Sequence, residues 1–138
     1  MNEIFVDVQR IYWDQLDLLG VLHNAAYPAL FERARTAFWR SLGIDGYQDK
    51  DLDFPYYVVR NEINYLMPLT SEQEIRVRVF VEKIGRTSLT FGHDIFDNAH
   101  NQVSVGSTTI VRIDPETKAP IPWSDNMRRM LAPYVKSI

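Results

Sequence analysis

Asp17, Gly20, His23, Asn24 and Tyr27 fall in one stretch, Trp13 to Tyr27, where residue types and spacing suit covalent chemistry. Asp17 is a carboxylate a few residues before a predicted helix start, whose first backbone N–H groups have no partner inside the helix. Those donors and the positive end of the helix dipole can hold a carbonyl oxygen as it becomes an oxyanion. A carboxylate beside them can activate water or attack directly. The pair suits hydrolysis of an activated acyl group. A thioester fits, because its carbonyl is weakly stabilised by resonance and its leaving group is good.

A plainer reading covers the same residues. Asp17 and Gly20 occupy the first and last positions of a type I turn, which such residues favour without any catalysis. Asn24 is an ordinary helix N-cap. His23 is either a neutral loop histidine packed by Leu22 or a hydrogen-bond donor near a reacting carbonyl. Asp14 reads as a solvated or capping carboxylate. Glu32 reads as a second acid in the cleft or as a partner of Arg35 or of a facing strand.

Other chemistries find no support. The 138 residues hold no cysteine, which removes disulfides, thiolate catalysis and Cys-ligated metal, and fits a reducing compartment. His23, His93 and His100 have no metal-ligand spacing. Glycine-rich phosphate loops and the Gly-x-Ser-x-Gly elbow are absent. A net charge of -3 gives no broad basic surface for nucleic acid. The sequence has no apolar run that would span a membrane and no signal-peptide pattern at its start, so a cytoplasmic protein is expected.

The elements that must position these residues read as one domain over 1–138. Ile4 to Tyr12 alternates with strand period, and Trp13 to His23 reads as a loop. Asn24 to Leu42 is the long helix, with Tyr27, Leu30, Phe31, Ala34, Phe38 and Leu42 spaced three and four apart and Gly43 as terminator. Pro28 conflicts with a regular helix from Asn24, so the first turn is distorted or the helix starts later. Asp45 to Phe54 is an acidic loop. Tyr56 to Tyr65, Glu74 to Val81, Ser88 to Phe96 and Val103 to Ile113 are strand-like, and their short connections require antiparallel neighbours. Asp125 to Leu131 reads as a short terminal helix stopped before Pro133. The order predicts an α+β domain, a five-stranded antiparallel sheet wrapped around one central helix.

Asp17-x-x-Gly20 with Asn24 and Tyr27 following, then Phe31-Glu32-Arg33-Ala34-Arg35, resembles the hotdog-fold acyl-CoA thioesterases of the 4-hydroxybenzoyl-CoA thioesterase type. Tyr65 to Leu69, Val81 to Ser88 and Asp114 to Pro122 extend the resemblance over nearly the whole chain in order. It implies Asp17 as general base or nucleophile, the backbone around His23 and Asn24 as the group polarising the carbonyl, Gly20 as the turn glycine and Tyr27 as a nearby aromatic. His23 followed by Asn24 departs from the pattern of many relatives, which puts the side-chain roles of both in question but not the backbone role. Lys83, Arg86, Thr87 and Ser88 become candidates for the coenzyme phosphates, with Arg128 and Arg129 as further ones. Tyr56, Tyr57, Val58 and Phe38 are candidates for the acyl pocket, although core packing accounts for such residues equally well. The resemblance implies no cofactor, coenzyme A being part of the substrate, and a homodimer or homotetramer with the site between subunits. A non-catalytic acyl-CoA-binding protein on the same fold is the alternative; a hydratase on this fold lacks its motif here.

Overall fold

A computed structural model describes residues 3–44 and 55–136. The acidic loop expected over 45–54 lies outside the described residues. The elements run β1 (Phe5–Ile11), α1 (Tyr27–Ser41), β2 (Tyr56–Tyr65), β3 (Gln73–Ile84), β4 (Ser88–Phe96), β5 (Gln102–Arg112) and α2 (Asp125–Leu131). All strand pairs are antiparallel, in the order β1-β3-β4-β5-β2. The long helix packs on one face of this sheet, which is the hotdog arrangement.

Helix α1 buries Tyr27, Leu30, Phe31, Ala34, Phe38 and Trp39, one stripe of a 3.6-residue period. The stripe meets inward side chains of the sheet, among them Val77, Val79, Val81, Phe91 and Ile110, all fully buried. Phe38 makes edge contacts with Phe91 and Tyr134, so truncating it to Ala would cost about 3–5 kcal/mol. Pro28 explains the late start of the helix. Asn24–Ala26 form a 3-10 turn, and regular helix begins at Tyr27, so Pro28 sits in the first turn where its missing N–H is no loss. At the other end Gly43, at φ 81, takes the left-handed conformation that stops a helix.

Strand β1 alternates as expected, but its polar set faces the helix. Gln9 Nε2 donates to the Leu30 carbonyl at 2.9 Å and to Asp7 Oδ2 at 2.9 Å. Burial raises the Asp7 pKa, and the Gln9 hydrogen bond partly offsets that. Ile4, Val6 and Val8 are left exposed on the sheet's outer face. Elsewhere on that face Phe80 lies over Gly92, where a Cβ would collide with the ring. Lys136 Nζ stands 4.9 Å from the Phe80 centroid, and Arg78 pairs with Asp94. Ser124 caps α2 by accepting from Met127 N, and Met127 and Leu131 close the core.

Candidate active site

The segment before α1 is a small hairpin rather than a loop. Leu16 bridges Leu22, Asp17 N donates to Val21 O at 2.8 Å, and His23 N donates to Gln15 O at 3.1 Å. Gly20 N returns to Asp17 O at 3.0 Å with Gly20 at φ 75, a tight turn followed by a left-handed residue. Strand alternation then sorts the side chains. Leu22 goes fully into the core, while Asp17 and His23 share the exposed side. A further bridge from Val21 to Thr70, and Leu22 N on Leu69 O at 2.8 Å, pin the hairpin to the segment before β3.

Asp17 braces this turn. Its Oδ1 accepts from Leu19 N at 2.8 Å and from Val21 N at 3.2 Å. Among the described residues Oδ2 accepts nothing, so one carboxylate oxygen holds the loop and the other is available. Leu18 and Leu19 at the tip are almost wholly exposed.

The helix start differs from expectation in its cap. His23, not Asn24, is the N-cap residue: its Nδ1 accepts from Ala25 N at 3.1 Å. An accepting ring nitrogen carries no proton, which leaves the imidazole N–H at Nε2. Asn24 instead opens the 3-10 turn. Ala26 N donates to His23 O at 2.9 Å and His23 N is engaged with Gln15. Of the two backbone donors at His23 and Asn24, the Asn24 N–H is therefore the one without a partner among the described residues. It lies three residues beyond Val21, the hairpin partner of Asp17, about 10 Å along the strand direction. Tyr27 is buried and meets Tyr65 edge to face at 4.9 Å; burial, then the neighbouring Tyr65, raises its pKa.

The other candidates lie elsewhere. Lys83, Arg86, Thr87 and Ser88 sit around the β3–β4 turn, at the far end of β3 from the Asp17 hairpin, about 36 Å along the strand at roughly 3.3 Å per residue. In one chain they do not meet Asp17. Arg128 turns back onto the β3–β4 turn, donating to the Gly85 carbonyl at 2.7 Å and the Arg86 carbonyl at 3.1 Å. On β2, Val58 pairs with the buried Ile110 and shares its helix-facing side, while Tyr57 pairs with Val111 on the outer side. A cavity of about 430 Å³ opens on the outer face among Glu62, Arg78, Phe80, Glu82 and Lys136, away from Asp17.

Glu32 forms no ion pair with Arg35. Arg35 enters the core, only 6% exposed. Its Nη1 lies 3.2 Å from His93 Nε2 and donates to Thr108 Oγ1 at 3.0 Å; Thr108 in turn donates to Asn61 Oδ1 at 2.7 Å. Burial, then the Arg35 charge, drives the His93 pKa down to about 3, so the ring is neutral. Phe31 stacks on it at 4.7 Å. Sequence patterning missed this network; its one signal was a cation at position 35 on the apolar stripe of α1.

A family model for the Thioesterase-like superfamily matches residues 11–131, and the chain belongs to that family. It is a thioester hydrolase by family. It is similar to the acyl-CoA thioester hydrolase YbgC of Escherichia coli, 24% identical over 106 residues, which cover 77% of this chain and 79% of that one. Among solved structures, a Staphylococcus aureus DHNA-CoA thioesterase superposes with a TM-score of 0.83 at 20% identity, covering 94% and 89% of the two chains. The Staphylococcus aureus protein SAV2348, solved in complex with CoA, superposes with a TM-score of 0.87 at 16% identity, covering 100% and 89%. Among the described residues no helix is long and apolar enough to cross a membrane.

Proposed function

We propose that this chain is an acyl-CoA thioesterase that releases a carboxylic acid and CoA, with Asp17 as base or nucleophile and the Asn24 N–H holding the carbonyl oxygen. The observation that carries this reading is the pairing of two uncommitted groups, Asp17 Oδ2 and the Asn24 N–H, by one rigid hairpin. By the water route, Oδ2 takes a proton from water as the water oxygen attacks the carbonyl carbon. The oxyanion forms against the Asn24 N–H; it then collapses, and CoA leaves with the proton from Asp17. By the direct route, Oδ2 attacks the carbonyl, CoA leaves as thiolate, and water cleaves the mixed anhydride. Both routes return the Asp17 carboxylate.

The site is shared between two copies. Edge strand β2 leaves Tyr57, Val58 and Val59 exposed at one end and Tyr65, Leu66 and Met67 at the other. Two such edges joined about a two-fold axis run antiparallel. The Tyr56 end of one copy, with the neighbouring Lys83–Ser88 turn, then approaches the Tyr65 end of the other, where Tyr27 and the Asp17 hairpin lie. That arrangement removes the separation between carboxylate and phosphate-binding candidates found in one chain. The relative solved with CoA supports a CoA thioester as ligand.

Thiol release from a panel of acyl-CoAs, measured on wild type and Asp17→Asn together with the mass in solution, tests the reading. Asn keeps an Oδ1 to accept from Leu19 and Val21, so the turn survives. The expected result is an active dimer or larger assembly, with at least a 100-fold loss of kcat/KM in the variant. An active monomer overturns the shared site. A variant as active as wild type overturns the role of Asp17. Tight acyl-CoA binding without any cleavage by wild type would make the protein a binding module.

A further inference from the structure

Within one copy the helix-facing side of β2 is only partly covered. Helix α1 packs mainly over β1 and β3, leaving Val58 at 47% and Tyr65 at 51% exposure. The registers Tyr65–Ser104, Ile63–Gly106 and Asn61–Thr108 put these residues on one face. They form an open strip from Tyr65, which touches Tyr27 at the helix start, to Asn61, about 13 Å along the strand. An acyl group whose carbonyl is held at the helix start has this strip in front of it.

The far end of the strip is polar where a pocket for alkyl chains would be apolar throughout. Arg35 stands behind it, buried, and among the described residues it makes no ion pair with a carboxylate. Its neighbour His93 is neutral and offsets none of the guanidinium charge; burial outweighs the favourable fields of Tyr56 and Glu32 and lowers the Arg35 pKa. Thr108 relays one hydrogen bond from Arg35 to Asn61 Oδ1. This fixes the Asn61 amide with its N–H groups uncommitted on an exposed residue. His93 Nδ1, fully buried in the same network, also lacks a partner. A buried cation, an oriented amide and a spare polar atom form a receptor for an anion.

We propose that Arg35 and Asn61 end the acyl pocket and select acyl groups that terminate in a carboxylate. The inference rests on the thioesterase reading for the direction of the acyl group along β2. The Asn61 amide donates to the carboxylate, and the Arg35 charge behind it compensates the negative charge that a purely apolar pocket would reject.

Sebacyl-CoA and decanoyl-CoA differ at the chain end by this one carboxylate, and an extended ten-carbon chain is long enough for the strip, which makes them the probe pair. Wild type is expected to favour sebacyl-CoA at least tenfold in kcat/KM. Arg35→Met and Asn61→Asp are each expected to lower that ratio at least tenfold; Asn61 lies outside the core of its own chain but near the middle of the β2 edge where two copies meet, so the mass in solution of the second variant is measured alongside. Calorimetric titration of Asp17→Asn with both thioesters gives the same comparison without turnover, and a tenfold tighter sebacyl-CoA complex is expected. A wild-type ratio of one or below, or a ratio unmoved in both variants while Arg35→Met merely melts earlier, overturns the proposal. Absence of hydrolysis of either thioester overturns the thioesterase reading alone, because the titration still reads the selectivity.

Discussion

The Asp17 hairpin and the Arg35 network are each organised around one charged side chain, and they do it in opposite ways. Asp17 is exposed and satisfied by N–H groups two and four residues away. Arg35 is buried and satisfied by His93 and Thr108, 58 and 73 residues away, with Asn61 another 47 residues from Thr108. The first is made by a turn and needs little else. The second exists only when helix and three strands are assembled. A group that reacts can be held by its own loop and still present a free oxygen, whereas a buried charge must be held by the topology.

This contrast predicts that damage to the hairpin appears mainly in activity and damage to the network mainly in stability. The largest effect is the loss of 100-fold or more in kcat/KM for Asp17→Asn, with a nearly unchanged melting temperature. Equal losses in both would erase the distinction. Next, Thr108→Val strands Arg35 and Asn61 together and should cost about 1–3 kcal/mol in urea unfolding.

Third is acid sensitivity. His93 is neutral when folded, with its pKa near 3 against 6.5 for an ordinary histidine. As pH falls from 6.5 towards 3, the unfolded chain binds a proton that the folded chain refuses. Stability present in full above pH 6.5 is lost by up to about 1.4 kcal/mol per pH unit. The difference in unfolding free energy between wild type and His93→Gln, followed over that range, should show the slope; a flat difference would mean that His93 titrates normally. The smallest effect belongs to Gly20→Ala. A side chain at φ 75 costs about 1 kcal/mol of stability, although open space surrounds the position.

The same contrast marks what was legible in the sequence. The strand expectations for Tyr56 to Tyr65 and Ser88 to Phe96 coincide with β2 and β4, because alternation and turn residues act locally. β3 runs past the expected Val81 to Ile84 because a bulge between Val81 and Lys83 absorbs the change of register. The cap falls at His23, one residue before the Asn24 that the sequence pattern favours. Pro28 sets where regular helix can begin, and His23, extended at ψ 135, reaches the Ala25 N–H from one position further back. The side on which β1 buries its polar set rests on Gln9 meeting a helix carbonyl 21 residues on, which no alternation encodes. Asp17 was legible as a turn residue from its neighbours alone; Arg35, His93, Thr108 and Asn61 were not, because nothing near any of them in sequence names the others.

The contact between Phe80 and Gly92 carries an evolutionary consequence. The ring lies where the glycine has no side chain, beneath the Lys136 ammonium. Alanine at 92 must dislodge the aromatic, and a smaller residue at 80 uncovers the glycine. The two positions therefore drift as a pair, and a homologue that has lost one should have compensated at the other.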